Sequence, residues 1–168
     1  ISVRPWSVDY LKKLADGLNK FSETKNCKFI IYPMHQGADE NPSQILKDML
    51  DSEAELLTLP TEPDQALKEF SNLDLFVGVR LHSLIFALLN KIPLLALSYD
   101  PKIEGLMSEI DYLPLIKLEN LESELLIEKL DYLMSERYSL RKKLKSYVQQ
   151  KKQAAEDFAE LVLKEVST

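Results

Sequence analysis

The feature that most constrains the fold is a regular alternation of short apolar runs with amphipathic stretches of helical length. Each apolar run ends at a turn signal, and its continuous apolarity is typical of parallel strands buried on both faces. Because connections between parallel strands are right-handed, this order predicts an open, mostly parallel sheet with helices on both faces. The predicted strands are a segment at the start of the chain and residues 28–32, 54–57, 73–79 and 92–98, and the predicted helices are residues 8–21, 42–50, 62–71 and 81–90.

The last third of the chain has a different pattern, of heavily charged helical sequence. With 168 residues, 45% of them hydrophobic, the chain can bury one sizeable core but is too short for two ordinary domains. We therefore expect one domain over residues 1–168, with an α/β core in residues 1–118 and one or two helices in residues 119–168. An apolar stripe indicates that this tail packs on the domain or on a neighbour, while its basic residues leave a membrane-surface helix as the alternative. The stripe contains Leu126, Leu130, Leu133, Leu140, Leu144 and Val148.

The composition limits the partners that the chain can bind. Its net charge of −6 arises from 27 acidic and 21 basic residues without a basic block, so nucleic acid is not an expected partner. Cys27 is the only cysteine, which excludes an intrachain disulfide and suits a buried structural thiol. No apolar run reaches the roughly 18 to 20 residues that span a bilayer, and no signal peptide is recognisable. We expect a soluble, cytoplasmic domain, and the start at Ile1, within a strand, indicates that a further segment precedes it.

The residues that follow the predicted strands are the first candidates for chemistry. In an open α/β sheet, ligands bind beyond the carboxyl ends of the strands, where helix N-termini offer free N–H groups to anions. Polar side chains follow four of these strands, at Arg4 and in residues 33–40, 80–83 and 98–102. The loops that carry them are expected to converge on one cleft.

Arg80 and His82 are the best placed of these residues, because they stand between an apolar strand and an apolar helix. The guanidinium of Arg80 offers a planar fork of donors to a carboxylate or a phosphate. His82, in the first helical turn, can donate to an anion or transfer a proton near neutral pH. The alternative is structural: Arg80 pairs with a carboxylate such as Asp74 or Asp100, and His82 caps the helix.

His35 and Lys102 are secondary candidates. His35 is the only other histidine, and it also follows an apolar strand. Lys102 lies near a predicted helix N-terminus, where a cation is unfavourable unless it serves an anion or a carboxylate, and a solvated turn lysine is the alternative. The two histidines lack recognisable metal-ligand spacing, so no metal site is predicted. Gly78 stands outside any dinucleotide-binding glycine motif or P-loop, so we expect side chains to hold a phosphate.

Four segments share an order and a spacing that distinguish the chain. They are residues 2–6 (SVRPW), 32–35 (YPMH), 74–87 (DLFVGVRLHSLIFA) and 97–102 (LSYDPK). Together they resemble the polysaccharide pyruvyl transferase family, and the Gly-x-Arg-Leu-His part is the most specific. The resemblance is close over roughly residues 1–110 and only general over the helical tail.

This resemblance implies the C-terminal, Rossmann-like half of a GT-B-like two-domain enzyme, a three-layer domain whose partner, the N-terminal domain, is absent from this chain. Such enzymes transfer a pyruvyl group from phosphoenolpyruvate to two hydroxyls of a sugar, forming a cyclic ketal on a surface-polysaccharide precursor. The expected partners are phosphoenolpyruvate, a sugar or lipid-linked saccharide acceptor and the enzyme's own N-terminal domain, with no cofactor. A lipid-linked acceptor implies peripheral association with the inner face of the membrane. The isolated domain is expected to be inactive.

The resemblance also implies roles for individual residues. Arg80 and His82 contact phosphoenolpyruvate, and His82 is the candidate general acid that protonates the methylene carbon or assists the departure of phosphate. No residue is assigned as the general base. The further substrate contacts that it implies are Lys102, Arg4, His35, Ser83, Ser98 and Tyr99.

Two other functions remain open on the sequence. A GT-B-type glycosyltransferase would bind a nucleotide-sugar in this half, and Glu104 stands where a ribose-binding carboxylate would be sought. A non-catalytic α/β domain would bind only an anion or a partner protein, with Arg80 and His82 in structural roles. The fold alone does not decide between these functions. The identity of the bound donor would distinguish them.

Overall fold

The computed structural model of the chain describes residues 1–58, 60 and 62–166, with their side chains through residue 160. Strand and helix alternate as predicted, and the chain then continues as helices. The strands are β1 (Phe29–Ile31), β2 (Ala54–Leu56), β3 (Phe76–Gly78), β4 (Leu94–Ser98) and β5 (Leu115–Lys117). The helices are α1 (Val8–Thr24), α2 (Glu40–Asp48), α3 (Pro63–Phe70), α4 (Leu81–Leu89), α5 (Pro101–Ser108), α6 (Ser123–Ser135) and α7 (Arg137–Val166), and a short 3-10 helix (Leu118–Asn120) precedes α6.

The strands pair in parallel, and the first residues of the chain connect two groups of strands. One group is β1 with β2, and the other is β3, β4 and β5 in that order. Between them lie residues 1–3, where Ser2 N–H donates to Val77 O (2.9 Å) and Ser2 O accepts from Val79 N–H (3.2 Å). On the other side the first carbonyl accepts from Tyr32 N–H (2.8 Å). The order β2, β1, residues 1–3, β3, β4, β5 is that of a Rossmann-like sheet, so the predicted fold class is confirmed.

Burial separates the central strands from the edges. Every residue of β4 is buried, whereas β2 is half-exposed along its length. Beside β2, Lys28 pairs with Glu53 (2.8 Å) and Glu55 (3.3 Å), and such charges suit an edge strand in contact with water. The parallel strand predicted at residues 54–57 is present as β2, but the expectation that it is buried is wrong. Strand β5 is the opposite edge. It was not predicted, because its apolar segment directly follows Pro114 and already ends at Lys117.

Helix α1 buries the apolar stripe that its sequence predicts, and it also packs closely against α6. It begins after Ser7, whose hydroxyl accepts a hydrogen bond from an N–H of the first turn (3.3 Å). At Gly17 the two helices are so close that a Cβ would lie 2.6 Å from Leu126 Cδ2. The buried stripe includes Leu11, Leu14 and Leu18.

The charged tail forms two helices, α6 and α7, and its first part packs on the core. Leu140 and Leu144 are buried, and the Arg141 guanidinium donates to Leu73 O (2.7 Å). Residues 149–160 are exposed along α7, and the membrane-surface alternative stays a prediction. In the part of the chain that the structure describes, no helix is both long and apolar enough to cross a bilayer.

Candidate active site

The first residues of the chain and β3 form the point at which the strand order reverses. From residues 1–3 the chain proceeds through β1 to β2 on one side, and it then returns to β3 and continues to β4 and β5 on the other. At such a switch point the loops beyond the two strands diverge and leave a crevice for a ligand. Arg4 and Arg80 follow these two strands, so the topology alone puts two cations beside the crevice.

A cleft of about 600 Å³ opens at this end of the sheet, within the range of small-molecule sites. Among its lining residues are five predicted contacts, contributed by the loops after β1, β3 and β4. Three of the four segments that were expected to converge therefore line one cleft, and the segment at Arg4 does not. These five residues are His35, Arg80, His82, Tyr99 and Lys102.

Arg80 is held by Asp39, a fully buried carboxylate. Arg80 Nε donates to Asp39 Oδ2 (3.0 Å) and Nη2 donates to Oδ1, which makes a bidentate pair. The alternative that Arg80 pairs with a carboxylate is confirmed, but the partner is Asp39 and not Asp74 or Asp100. Asp100 instead accepts from Lys102 N–H (2.8 Å) and caps α5. The hydrogen bond to Asp39 raises the pKa of Arg80 above its ordinary value, so the guanidinium is charged at any physiological pH.

The turn before α2 brings Asp39 to this position. The carbonyl of His35 accepts from Asp39 N–H (3.0 Å), and in return Asp39 Oδ2 accepts from His35 N–H (3.0 Å). Gly37 lies between them with φ +79°, a conformation that glycine adopts without strain. Asp39 occupies the N-cap position of α2 without a side-chain bond to that helix. Sequence reasoning missed it, although an aspartate before a predicted helix, in a loop expected to face the cleft, was an available signal.

His82 and Lys102 are exposed side chains in the first turns of α4 and α5. The N-cap residue of α4 is Arg80 and not His82, and no side chain caps this helix. The N–H groups at the start of α4 therefore lack a side-chain acceptor, and helix N-termini of this kind favour anions. His35 is exposed, with its Nδ1 2.9 Å from Gln36 O.

Arg4 lies behind Tyr99 and does not line the cleft itself. Its Cζ is 4.0 Å from the centre of the Tyr99 ring, a cation–π geometry, while its Nε is buried without a hydrogen-bond partner in the described residues. Burial raises the pKa of Tyr10 to about 12, so the phenol stays protonated and donates to Arg4 O (2.6 Å). On the outer side Trp6, 58% exposed, packs on Tyr99 with 5.7 Å between ring centres. Arg4 thus supports the wall of the cleft through Tyr99.

Ser83 and Ser98, two of the predicted contacts, are buried and do not line the cleft. The Ser83 hydroxyl donates to Arg80 O (2.6 Å) and lies 2.7 Å from the Ser2 hydroxyl. The Ser98 hydroxyl bonds to Asp100 O (3.2 Å) and lies 3.4 Å from a Glu104 carboxylate oxygen. Both serines therefore have a structural role: their hydrogen bonds hold the two loops that carry the exposed contacts.

In the described part of the chain, no three His, Cys, Asp or Glu side chains are grouped so that they could hold a metal ion.

Comparison with known proteins agrees with this arrangement of motifs. No curated protein matches the chain. The family model described as polysaccharide pyruvyl transferase matches residues 1–101, which include the switch point, Asp39, Arg80, His82 and Tyr99. Because this match covers more than half of the sequence, the chain belongs to the polysaccharide pyruvyl transferase family.

Proposed function

We propose that this chain binds phosphoenolpyruvate in the cleft at the switch point and takes part in pyruvyl transfer to sugar hydroxyls of a cell-surface polysaccharide precursor. The observation that carries the proposal is the convergence of Arg80, His82, His35 and Lys102 on one cleft of about 600 Å³. Family membership supports pyruvyl transfer in general. We further propose that phosphoenolpyruvate is the donor and that a cyclic ketal is the product.

Phosphoenolpyruvate suits the charges around the cleft. It is a small molecule with a carboxylate and a phosphate, and binding it requires several fixed donors and no site for a base or a ribose. Arg80 uses Nε and Nη2 on Asp39, and it keeps further N–H donors for a ligand. Lys102 adds a positive charge at the opposite loop, and the uncapped start of α4 adds N–H groups. We assign the phosphate of phosphoenolpyruvate to the part of the cleft that Arg80, Lys102 and the start of α4 surround.

His82 is proposed as the general acid of the reaction. Transfer of a proton to the methylene carbon makes the neighbouring carbon electrophilic, and one sugar hydroxyl adds to it. The bond from that carbon to the phosphate oxygen then breaks, phosphate departs, and the second hydroxyl closes the ketal. Of the two hydroxyl protons, one replaces the proton that the acid gave and the other leaves with phosphate or solvent. Arg80 and Lys102 stabilise the departing charge, and the general base stays unassigned.

We further propose that the acceptor and another part of the donor site belong to a separate N-terminal domain, in a GT-B-like arrangement. A sugar or a lipid-linked saccharide would enter from that side, and a lipid-linked acceptor would hold the enzyme at the cytoplasmic face of the membrane. Trp6 is exposed beside the cleft, in keeping with a surface that a second domain or an acceptor covers. The isolated chain is accordingly proposed to bind the donor without turnover.

Titration calorimetry with phosphoenolpyruvate tests the proposal. The test variant is His82→Ala with Lys102→Ala, because both side chains are exposed and their loss leaves Asp39 paired. The control is Lys47→Ala with Lys91→Ala, two lysines that do not line the cleft. We expect the test variant to weaken binding by about 100-fold and the control to leave it unchanged, since each charge-assisted contact contributes about tenfold. Displacement of phosphoenolpyruvate by UDP-glucose would favour a glycosyltransferase, and unchanged binding by the test variant would contradict the proposed site.

A further inference from the structure

Asp39 is a buried carboxylate for which the proposed chemistry has no use. Its side chain has no exposed surface, and it makes no side-chain cap on α2, where an aspartate would ordinarily serve the first turn. Burial of a carboxylate is costly unless several donors compensate it, and an apolar side chain is often no less stable at such a position. Its contacts therefore indicate a role in the cleft.

The contacts of Asp39 fix Arg80 in orientation as well as in position. Two parallel hydrogen bonds from Nε and Nη2 determine the plane of the guanidinium, and a single bond would not. The third donor is the main-chain N–H of His35, 3.0 Å from Oδ2. One carboxylate thereby joins the loop after β1 to the loop after β3, and each of these loops contributes a side chain to the cleft.

We infer that Asp39 is a positioning residue for anion binding, which holds the Arg80 guanidinium and the His35 main chain in one arrangement around the ligand. The inference rests on the proposed function, because the anion it concerns is phosphoenolpyruvate. With Nε and Nη2 bonded to Asp39, the direction in which Arg80 presents Nη1 is set by this pair. An arginine released from this pair has several rotamers, and only a fraction of them present donors to the cleft.

Two effects of Asp39 on the ligand oppose each other. Its negative charge repels an anion, so neutralising it should strengthen binding if charge alone decides the affinity. Its hydrogen bonds fix the donors of Arg80, so losing them should weaken binding if geometry decides. The full burial of Asp39 and its direct pairing to Arg80 favour geometry, because the ligand meets a carboxylate already neutralised by the guanidinium.

The test is phosphoenolpyruvate binding to Asp39→Asn, measured by calorimetry on the same chain as the wild type. Asparagine keeps the shape of the side chain, but its amide can accept only one of the two Arg80 bonds. The matched control is Glu40→Gln, an exposed carboxylate of the neighbouring residue that accepts from Gly37 N–H (2.9 Å) and does not contact Arg80. We expect Asp39→Asn to bind phosphoenolpyruvate at least about tenfold more weakly than the wild type, and Glu40→Gln to bind it unchanged. Equal or tighter binding by Asp39→Asn, with the fold intact by circular dichroism, would overturn the inference.

A second measurement observes the position of Arg80 without any donor. In the wild type we expect a dispersed, exchange-protected NMR signal from Arg80 Nε–H, because this proton is bonded to a buried carboxylate. The signal should move to the exposed-arginine region and lose protection in Asp39→Asn, and not in Glu40→Gln. If the wild type itself fails to bind phosphoenolpyruvate, the proposed function is contradicted, and this signal decides the positioning role alone. Protection retained in Asp39→Asn would refute that role.

Discussion

The hydroxyls of Ser2 and Ser83 lie 2.7 Å apart in the core, although 81 residues separate them in the chain. The Ser83 O–H donates to Arg80 O (2.6 Å), so the proton between the two serines comes from Ser2. This short series of hydrogen bonds ties the strand that precedes Arg4 to the helix that follows Arg80. The segments that carry the two arginines at the switch point are therefore joined by one buried set of hydrogen bonds.

Gly78 leaves room for the hydrogen-bonded hydroxyls of Ser2 and Ser83. A Cβ at this position would lie 2.5 Å from Phe76 Cε1 and 2.9 Å from Ser83 Oγ, and both neighbours are buried. Gly78→Ala is therefore expected to lower the free energy of unfolding by about 1 to 3 kcal/mol, as overpacking in a core does. Urea denaturation followed by circular dichroism measures the change.

Gly105→Ala is the matched control for that substitution. Gly105 is exposed within α5, and a Cβ there would meet nothing within 4 Å. We expect this variant to be more stable by about 0.5 to 1 kcal/mol, because alanine favours a helix over glycine. The same loss of stability in both variants would mean that Gly78 has no special place in the packing.

Arg80→Ala is expected to destabilise the fold through its partner. The substitution leaves Asp39 buried without its cation, and removal of one member of a buried pair costs about 3 to 5 kcal/mol. Because the Arg80 side chain is 21% exposed, we expect a smaller loss, of about 2 to 4 kcal/mol. Asp39→Asn in the Arg80→Ala background should recover part of it, since a neutral amide is cheaper to bury. Chemical denaturation of the two single variants and the double variant gives the coupling, and additive losses would contradict it.

His82→Gln is expected to lower turnover more than affinity. A general acid contributes about 100- to 10,000-fold to the rate, and glutamine keeps a hydrogen-bond donor while losing the transferable proton. His35→Gln is the comparison, because His35 is proposed only as a contact and should raise the KM for phosphoenolpyruvate with a smaller change in kcat. Both variants need to be assayed with a sugar acceptor in the proposed two-domain arrangement, because the isolated chain is proposed to bind the donor without turnover. An equal loss of kcat in the two variants would remove the distinction between His82 and His35.

Glu109 is expected to make the packing of α7 sensitive to acid. Its carboxylate accepts from Lys151 Nζ (2.6 Å) and from Tyr147 OH (3.0 Å), which lowers the pKa of Glu109 below its ordinary value of 4.5. Since the folded-state pKa is the lower one, this stabilisation is present above pH 4.5 and is lost as the pH falls through the lowered pKa. Hydrogen-exchange protection around Tyr147 should therefore fall on acidification.

The Glu109→Gln variant provides the control for this pH effect. Its protection near Tyr147 should already be reduced at neutral pH and should change little on acidification, because no carboxylate titrates there. Glu156→Gln removes an exposed carboxylate on α7 itself, 3.8 Å from Lys152, and should behave like the wild type. Wild-type behaviour of Glu109→Gln would place the anchor of α7 elsewhere.

The fold followed from the sequence where burial is decided by local pattern. The continuous apolarity of β4 and the leucine stripe of α1 correctly predicted a fully buried strand and a helix, because each pattern has only one way to bury itself. The edges did not follow as well. Short apolar stretches such as β2 and β5 carry little periodic signal, and their exposure depends on which strand lies beside them.

The sequence predicted where the candidate site lies but not which side chains pair within it. The rule for parallel strands located Arg80, His82 and Lys102 at one end of the sheet from the sequence alone. Neither the choice of Asp39 as partner of Arg80 nor the burial of Ser83 and Ser98 could be obtained in this way. Asp39 and Arg80 are 41 residues apart, and only the packed turn before α2 determines that they meet.

The central place of residues 1–3 has a consequence for how the chain reaches its native state. These residues are the first to be synthesised of those described, yet their hydrogen-bonded neighbours include Tyr32 and, much later, Val77 and Val79. Contacts between sequence-distant segments carry a loop-closure cost and form slowly. We expect residues 1–3 to pair with β3 late in folding, so that an emerging chain exposes an unpaired strand edge until α4 has left the ribosome.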